Sequence, residues 1–377
     1  MLRELSIVSN KIIVVRIIVL CWFAAKIMSW KLWISDRIFP VIPPFDFLYA
    51  PAFIHVILFI CSLSGLILIF ICPSKKIFQS GLIIIEVLLC LLDQNRWQPW
   101  EYEYIFMMLA FVVNKKDEHS LNAILFILIS TYFYSGLGKM NPVFSQTLLQ
   151  DITNYNIRNL FHAHWYLFLT YHSGYLLGTM EILFAIGLLF QRTKKIAAWL
   201  FILMHFAILI SFSPFIFNYD LIILPWNVAF AAILFTYFII KRNISFSFNF
   251  IRNRGNWLIV VLFGILPVLN FFGYWDYFLS SSLFSYKNSG MYIYIQQPSA
   301  NKLLDQFFEI YKNPDGTERI AINVRSWAFK EMGVPAYPEV RVYKKIKAQL
   351  TQQYPDMIAG YLVTVYQNRK REVIQLK

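Results

Sequence analysis

The chain has 377 residues, of which 58% are hydrophobic and 18% aromatic, and its mean hydropathy is +0.54. Soluble domains are nearer half apolar and contain only short apolar runs, so this composition argues against a soluble globular protein. The net charge is +13, but no basic stretch interleaves with aromatic residues as nucleic-acid binding requires. The expected partner is therefore a lipid bilayer and not nucleic acid.

Apolar runs of nearly 20 residues recur along the chain, and about 20 residues cross a hydrocarbon core of roughly 30 Å. Because a lipid-exposed backbone must satisfy its own hydrogen bonds, these runs are predicted to be helices. The predicted fold class is an all-α polytopic membrane protein of about nine transmembrane helices with a small C-terminal α+β extracytoplasmic domain. The predicted spans lie near residues 11–30, 52–72, 77–92, 102–114, 120–139, 172–190, 195–213, 220–240 and 257–276.

Basic residues cluster in alternate loops between these spans. Eleven Lys and Arg residues lie there, against only Asp117 and Glu118 as acids. They are Lys75, Lys76, Lys115, Lys116, Arg192, Lys194, Lys195, Lys241, Arg242, Arg252 and Arg254. The positive-inside rule then predicts a cytoplasmic N-terminus and an outer C-terminus, as in a protein of the bacterial cytoplasmic (inner) membrane.

The chain becomes polar near Ser280, so residues 1–283 are predicted to form the transmembrane domain and residues 284–377 a small soluble α+β domain outside. Residues 291–295 and 360–366 are predicted strands, and residues 338–353 an amphipathic helix. This tail contains no catalytic motif. Its basic surface makes residues 284–377 a candidate contact for a protein partner or for anionic lipid.

Three ionisable residues are predicted near the middle of their spans: Glu86, Glu181 and His205. Such groups are expensive in a membrane and usually face the interior of a helix bundle. One interpretation is an interhelical hydrogen-bond cluster, and another is the polar floor of a ligand pocket. The sequence leaves both open.

Lys139 ends an apolar run, where a membrane helix leaves the lipid. Such a lysine is either a snorkelling anchor or a general base, since partial burial disfavours the charged form of an amine. Gly136 and Gly138 would allow a neighbouring helix or a ligand to approach closely. Asn141-Pro142 is predicted to end the helix directly afterwards.

Residues 96–104 combine aromatic and polar side chains before a short apolar run. Trp and Tyr favour membrane interfaces, so the segment is a candidate aromatic anchor. Its acids, arginine and glutamine fit instead the rim of a ligand pocket. The predicted rim residues are Arg96, Trp97, Gln98, Trp100, Glu101 and Tyr104, together with Asn141 beside Lys139.

His162 and His164 form a His-x-His pair, but no third or fourth ligand lies near them in sequence. A zinc site needs at least three protein ligands. No metal site is therefore predicted.

Three stretches together resemble the HTTM (horizontally transferred transmembrane) domain of the vitamin K-dependent γ-carboxylase family. These are Tyr132-Phe133 to Phe144, Gly178 to Phe190, and Met204-His205-Phe206. Lys139-Met140-Asn141 matches a lysine motif at the outer end of a helix, Glu181 with Arg192 matches an acid-bearing helix, and His205 matches a central histidine. The similarity covers most of residues 10–286.

The resemblance implies that Lys139 is a base beside a bound quinone or hydroquinone of the vitamin K type, with Glu181 and His205 as further catalytic residues. A carboxylase-like lyase or an oxidoreductase would follow. The same pattern also resembles DoxX-like membrane proteins, which are associated with quinone-linked redox systems. The alternative is therefore a non-catalytic membrane subunit whose outer domain docks a protein partner or lipid.

Overall fold

The computed structural model describes residues 2–141, 144, 163–215, 220–240, 246–282, 289–296, 302–312, 318–354, 358–367 and 370–376. The chain divides into two compact units. The first unit contains Met1–Ile27, Cys61–Glu86 and Gln98–Tyr286, and the second unit contains Met28–Ile60, Val87–Trp97 and Lys287–Lys377.

Helices dominate the chain up to residue 270. In order they are α1 (Leu2–Met28), α2 (Trp30–Trp33), α3 (Ala52–Ile71), α4 (Lys76–Leu92), α5 (Pro99–Val113), α6 (Asp117–Lys139), α7 (Ala163–Leu189), α8 (Lys194–Ser211), α9 (Ile223–Leu234), α10 (Trp257–Val260) and α11 (Leu266–Asn270). A π-helical segment, Phe235–Ile240, continues α9, and another, Val261–Ile265, joins α10 to α11.

The prediction of nine membrane spans is not supported. In the described ranges, four helices are long and apolar enough to cross a membrane: Ala52–Ile71, Asp117–Lys139, Lys194–Ser211 and Ile223–Ile240. The helices α4 and α5 have 17 and 15 residues, which is short for a hydrocarbon core of about 30 Å. The helix α1 is long enough, but Lys11, Arg16 and Lys26 interrupt its apolar run.

The centre of the first unit is built from α5 and α6. Side chains on every face of α5 are buried, and 83% of the most apolar window of α6 is buried, against 28% for α8. A helix that is buried all round belongs to a core, whereas a helix with exposed apolar side chains is suited to lipid contact. The polar groups carried by α5 and α6 therefore lie inside the unit.

The second unit contains a five-stranded antiparallel sheet. Its strands are β1 (Gly290–Ile295), β2 (Phe308–Lys312), β3 (Glu318–Asn323), β4 (Ile358–Gln367) and β5 (Lys370–Leu376). They lie in the order β2-β3-β1-β4-β5. Beside the sheet lie α12 (Lys302–Asp305), α13 (Val324–Met332) and α14 (Val340–Gln353). The three predicted elements of the tail coincide with β1, β4 and α14.

Two interhelical segments fold together with this tail. The Glu331 carboxylate accepts a hydrogen bond of 2.9 Å from the backbone N–H of Phe39. Lys345 donates to the Pro43 carbonyl at 2.9 Å, and Asn95 accepts from the Tyr337 backbone at 3.0 Å. The second unit is thus assembled from three stretches of chain that are far apart in the sequence.

Candidate functional site

Lys139 forms a two-pronged ion pair with Glu181. The Lys139 ammonium lies 2.6 Å from Glu181 Oε1 and 2.7 Å from Oε2, and it also donates to Ser135 Oγ at 2.5 Å. The side chains of Lys139 and Glu181 are 13% and 10% exposed. The amine is therefore neither a free snorkelling anchor nor a sealed core group, since its partner is fixed and its side chain is still partly exposed.

A glycine contact sets the separation of the helices that carry this pair. A Cβ on Gly136 of α6 would lie 2.7 Å from the Gly178 carbonyl oxygen, and one on Gly178 of α7 would lie 2.5 Å from the Gly136 oxygen. Because both positions lack a side chain, the two backbones can approach closely enough for a lysine and a glutamate to meet. The close approach predicted at Gly136 is therefore present, and its partner is a helix.

Asn141 ends α6. Its side-chain amide donates to the Gly138 carbonyl at 2.7 Å, and its Oδ1 accepts from the Phe144 backbone at 2.8 Å. Both contacts satisfy backbone groups that a helix terminus leaves unpaired. Asn141 is buried, so it holds the end of the lysine-bearing helix and does not face an open rim.

His205 lies on α8 and is hydrogen-bonded through both ring nitrogens. Its Nδ1 is 2.7 Å from Asn227 Oδ1, and its Nε2 is 2.6 Å from the Tyr132 hydroxyl. The Asn227 amide nitrogen donates to the Ile223 carbonyl, which assigns Oδ1 as the acceptor toward the ring. His205 Nδ1 therefore carries a proton and donates to Asn227, and the Tyr132 hydroxyl group is the partner of Nε2.

Tyr132, Ser135 and Lys139 lie on one face of α6, at the spacing of three and four residues that aligns helical side chains. The seven residue steps from Tyr132 to Lys139 span roughly 10 Å along the axis. The structure thus places His205 and the Lys139–Glu181 pair on the same face of one helix. Tyr132 is the side chain of α6 that contacts the histidine.

Glu103 forms another buried polar contact beside this face. Its carboxyl group accepts 2.8 Å and 2.7 Å hydrogen bonds from the Thr131 hydroxyl and the Trp226 indole. Thr131 precedes Tyr132, and Trp226 precedes Asn227, so the same two helices hold both Glu103 and His205. In the sequence Glu103 had stood out only as one acid of a candidate rim.

Five of the six predicted rim residues are buried, and only Trp97 is partly exposed. Arg96 is fully buried in the second unit, where its guanidinium donates to the carbonyls of Leu32, Leu89 and Trp33. It also contacts His55 Nδ1 at 2.8 Å, although the sequence showed no role for that histidine. Arg96 therefore holds backbone segments of the second unit together.

Two of the other rim residues precede α5, and three lie in its first two turns. Trp97 is half-buried in the second unit, whereas Gln98 precedes α5 in the first unit and is buried. The Trp100 and Tyr104 rings pack edge to face, with 6.5 Å between their centroids. Glu101 is fully buried and accepts from the Trp22 indole at 2.6 Å. A helix buried on all faces keeps these side chains away from any open rim.

The three mid-span ionisable residues also separate. Glu86 pairs with Lys26 at 2.6 Å, whereas Glu181 pairs with Lys139 and His205 pairs with Tyr132. Each makes an interhelical contact, and those of Glu181 and His205 are both with α6. Lys26 was missed, although a lysine inside the predicted span at residues 11–30 was a signal that could have identified it.

Among the described residues, no group of three or more His, Cys, Asp or Glu side chains could hold a metal ion. His162 lies outside those residues, and only the backbone of His164 is described.

The Lys139–Glu181 pair is the site best suited to chemistry, because an amine and a carboxylate in contact can exchange a proton while still accessible. No family model, curated protein or solved structure matches this chain.

Proposed function

We propose that this chain is an integral membrane protein that binds a quinone-type ligand beside the Lys139–Glu181 pair, with Lys139 as the proton acceptor. A bacterial cytoplasmic membrane with the N-terminus inside is the proposed setting. The observation that carries the proposal is the partly exposed, two-pronged ion pair at the end of a membrane-compatible helix. The resemblance to the HTTM domain of the γ-carboxylase family supports the ligand class.

The composition of the site fits a hydroquinone. An amine, a carboxylate and the Ser135 hydroxyl can each form a hydrogen bond with a phenolic hydroxyl group. The glycine contact between α6 and α7 keeps these groups at hydrogen-bond distance. Because these side chains are already held in place before a ligand binds, less conformational entropy is lost on binding.

Lys139 can act as a base only in its neutral form. Glu181 lies 2.6 Å away, so its carboxylate is placed to take the extra proton of the ammonium group in the proposed reaction. Lys139 Nζ then accepts a proton, and Glu181 holds the one that it received. A bound hydroquinone of the vitamin K type would supply the acidic hydroxyl group and the redox-active ring.

Organic extraction of the purified protein, followed by mass analysis, tests the ligand. A quinone in stoichiometric amount is expected from the wild type and from Lys116→Ala, which removes an exposed lysine beside the start of the same helix. Lys139→Ala is expected to lose most of it. A wild-type extract without quinone, or equal amounts in all three proteins, would contradict the proposal.

The Lys139→Arg variant distinguishes between a role of Lys139 as a base and a role as an anchor. Arginine keeps the positive charge and the ion pair but stays protonated. A hydroquinone added to the wild type should show the ultraviolet spectrum of its deprotonated form, whereas the variant should bind the ligand without that change. Identical spectra for the two proteins would support an anchor.

A non-catalytic docking function is a second candidate, favoured by an exposed aromatic segment in the second unit. Phe47 and Tyr49 are each 81% exposed, and the Phe45 and Phe47 rings stack at 5.5 Å. Exposed aromatic side chains suit a membrane interface or a protein partner. Loss of a co-purifying partner in Phe47→Ser, with no loss in Lys139→Ala, would favour this function.

A further inference from the structure

A second ionisable cluster lies inside the first unit, where α1, α3, α4 and α5 contribute side chains. Lys26 Nζ lies 2.6 Å from Glu86 Oε2 and 3.6 Å from Glu101 Oε1. Ser62 donates to Glu86 Oε1 at 2.5 Å, and Trp22 donates to Glu101 Oε2 at 2.6 Å. The side chains of Lys26, Glu86 and Glu101 are 0% exposed.

The charges of this cluster do not balance if both acids are ionised. One ammonium group and two carboxylates would leave a net negative charge on side chains that are 0% exposed. Burying an unpaired charge is strongly unfavourable, because the charge loses its hydration and gains no partner. Binding one proton removes that cost, because the cluster then contains one cation, one carboxylate and one neutral acid.

The hydrogen bonds indicate where that proton lies. Both oxygens of Glu86 accept from protein donors, and so does Glu101 Oε2. Glu101 Oε1 is fully buried and makes no hydrogen bond within the part of the chain that the structure describes. The two carboxyl groups lie close to the same ammonium group, at 2.6 Å and 3.6 Å from Lys26 Nζ. A proton on Glu101 Oε1 would convert an unsatisfied acceptor into a donor toward Glu86.

A second unsatisfied atom lies on the same face of α5. Tyr104 follows Glu101 by three residues, and its buried hydroxyl group also lacks a hydrogen bond to any described residue. It interacts electrostatically with Cys21, Glu101 and Glu103. Buried polar atoms without partners are uncommon and frequently mark a functional site or an ordered water. These two atoms extend the cluster beyond a simple ion pair.

We propose that Lys26, Glu86 and Glu101 form a proton-binding site that holds one exchangeable proton between the two carboxyl groups. The titratable groups around it are Lys26 and Cys21 of α1, Glu86 of α4 and Tyr104 of α5, and Ser62 is the polar contact from α3. The carboxyl group of Glu103 instead contacts Thr131 and Trp226. Release of the proton leaves an uncompensated negative charge among these helices. Proton exchange is therefore linked to water entry or helix movement, as at the buried carboxylates of proton-coupled membrane proteins.

Infrared spectroscopy of the intact protein in nanodiscs shows whether one carboxyl group of the cluster is protonated. The wild type should show a carboxylic-acid C=O band from the cluster. Glu101→Gln and Glu86→Gln should each abolish it, because a single remaining carboxyl group ionises as the partner of Lys26. Lys26→Met should roughly double its intensity, because both acids then stay neutral.

Glu103→Gln is the matched control, since it alters another buried carboxyl group on the same helix and should leave the cluster band unchanged. The band should also shift when the wild type is transferred to D₂O, which shows that the proton exchanges. A wild-type spectrum whose acid band is unaffected by both Glu86→Gln and Glu101→Gln would overturn the proposal. So would a band that does not shift in D₂O, because the proton would then be a trapped structural one.

Discussion

The glycine contact between α6 and α7 allows a sharp test of how the Lys139 site is built. Gly178→Ala would place a Cβ 2.5 Å from the Gly136 carbonyl oxygen and 2.8 Å from Met140 Cγ. Real Cβ atoms essentially never approach a neighbour within 3.0 Å, so the helices must separate by about 0.5 Å. The Met140 side chain can move away cheaply, but the backbone oxygen of the facing helix cannot.

Gly81→Ala is the control, because a Cβ on Gly81 of α4 would meet nothing within 4 Å. Both substitutions gain about 1 kcal/mol of helix propensity. Only Gly178→Ala also incurs the cost of overpacking, which is about 1–3 kcal/mol. The difference between the two free energies of unfolding is therefore expected to be about 1–3 kcal/mol, with Gly178→Ala the less stable.

Unfolding in detergent micelles, followed by circular dichroism and tryptophan fluorescence, measures this difference. Gly136→Ala tests the same contact from α6 and should behave like Gly178→Ala, since its Cβ would lie 2.7 Å from the Gly178 oxygen. Equal stability of Gly178→Ala and Gly81→Ala, within about 0.5 kcal/mol, would refute the reasoning, because the backbones would then have room for a side chain.

Three further outcomes follow from buried polar contacts. Lys139→Met should destabilise the protein by about 1–3 kcal/mol. Adding Glu181→Leu should recover part of that loss, because the double variant leaves no unpaired charge. Thermal unfolding of the single and the double variant would measure both effects. Glu103→Ala should cost about 1–3 kcal/mol by leaving the buried Trp226 N–H without an acceptor, and the emission of that indole should change. Burial raises the pKa of Tyr343 above its ordinary value of 10.0, so the folded state holds this proton more tightly and stability should fall as the pH rises above about 10. Tyr343→Phe should make that fall less steep in an alkaline titration followed by circular dichroism.

The general class of this protein could be predicted from residue composition. Long apolar runs predict helices wherever they occur, because backbone hydrogen bonding within a helix needs no distant partner. The amphipathic pattern at residues 338–353 predicted α14 nearly to the residue, and alternation predicted β1 and β4. The span count could not be predicted equally well, because α4 and α5 are apolar but short, and α5 is buried on all its faces.

The candidate site was only partly predictable. Lys139 and Glu181 stand out because ionisable groups at such positions in apolar helices are expensive. Arg96 and Glu101 seemed to share one rim because they are close in sequence. In the structure Arg96 binds carbonyls of the second unit, and Glu101 joins a cluster with Lys26 of the first. Residues at a helix start diverge around the helix axis, so sequence proximity does not predict a shared surface.

The sequence by itself determined the helical elements, the apolar character and the positions of the costly ionisable groups, since these depend on local hydrogen bonding and on the water-to-lipid transfer of single residues. Tertiary structure alone decided the partners: Glu181 for Lys139, Tyr132 and Asn227 for His205, and Lys26 for Glu86. A partner depends on how closely two distant helices approach. That distance is set by contacts such as the one between Gly136 and Gly178. Neither glycine by itself shows in the sequence which residue it will face.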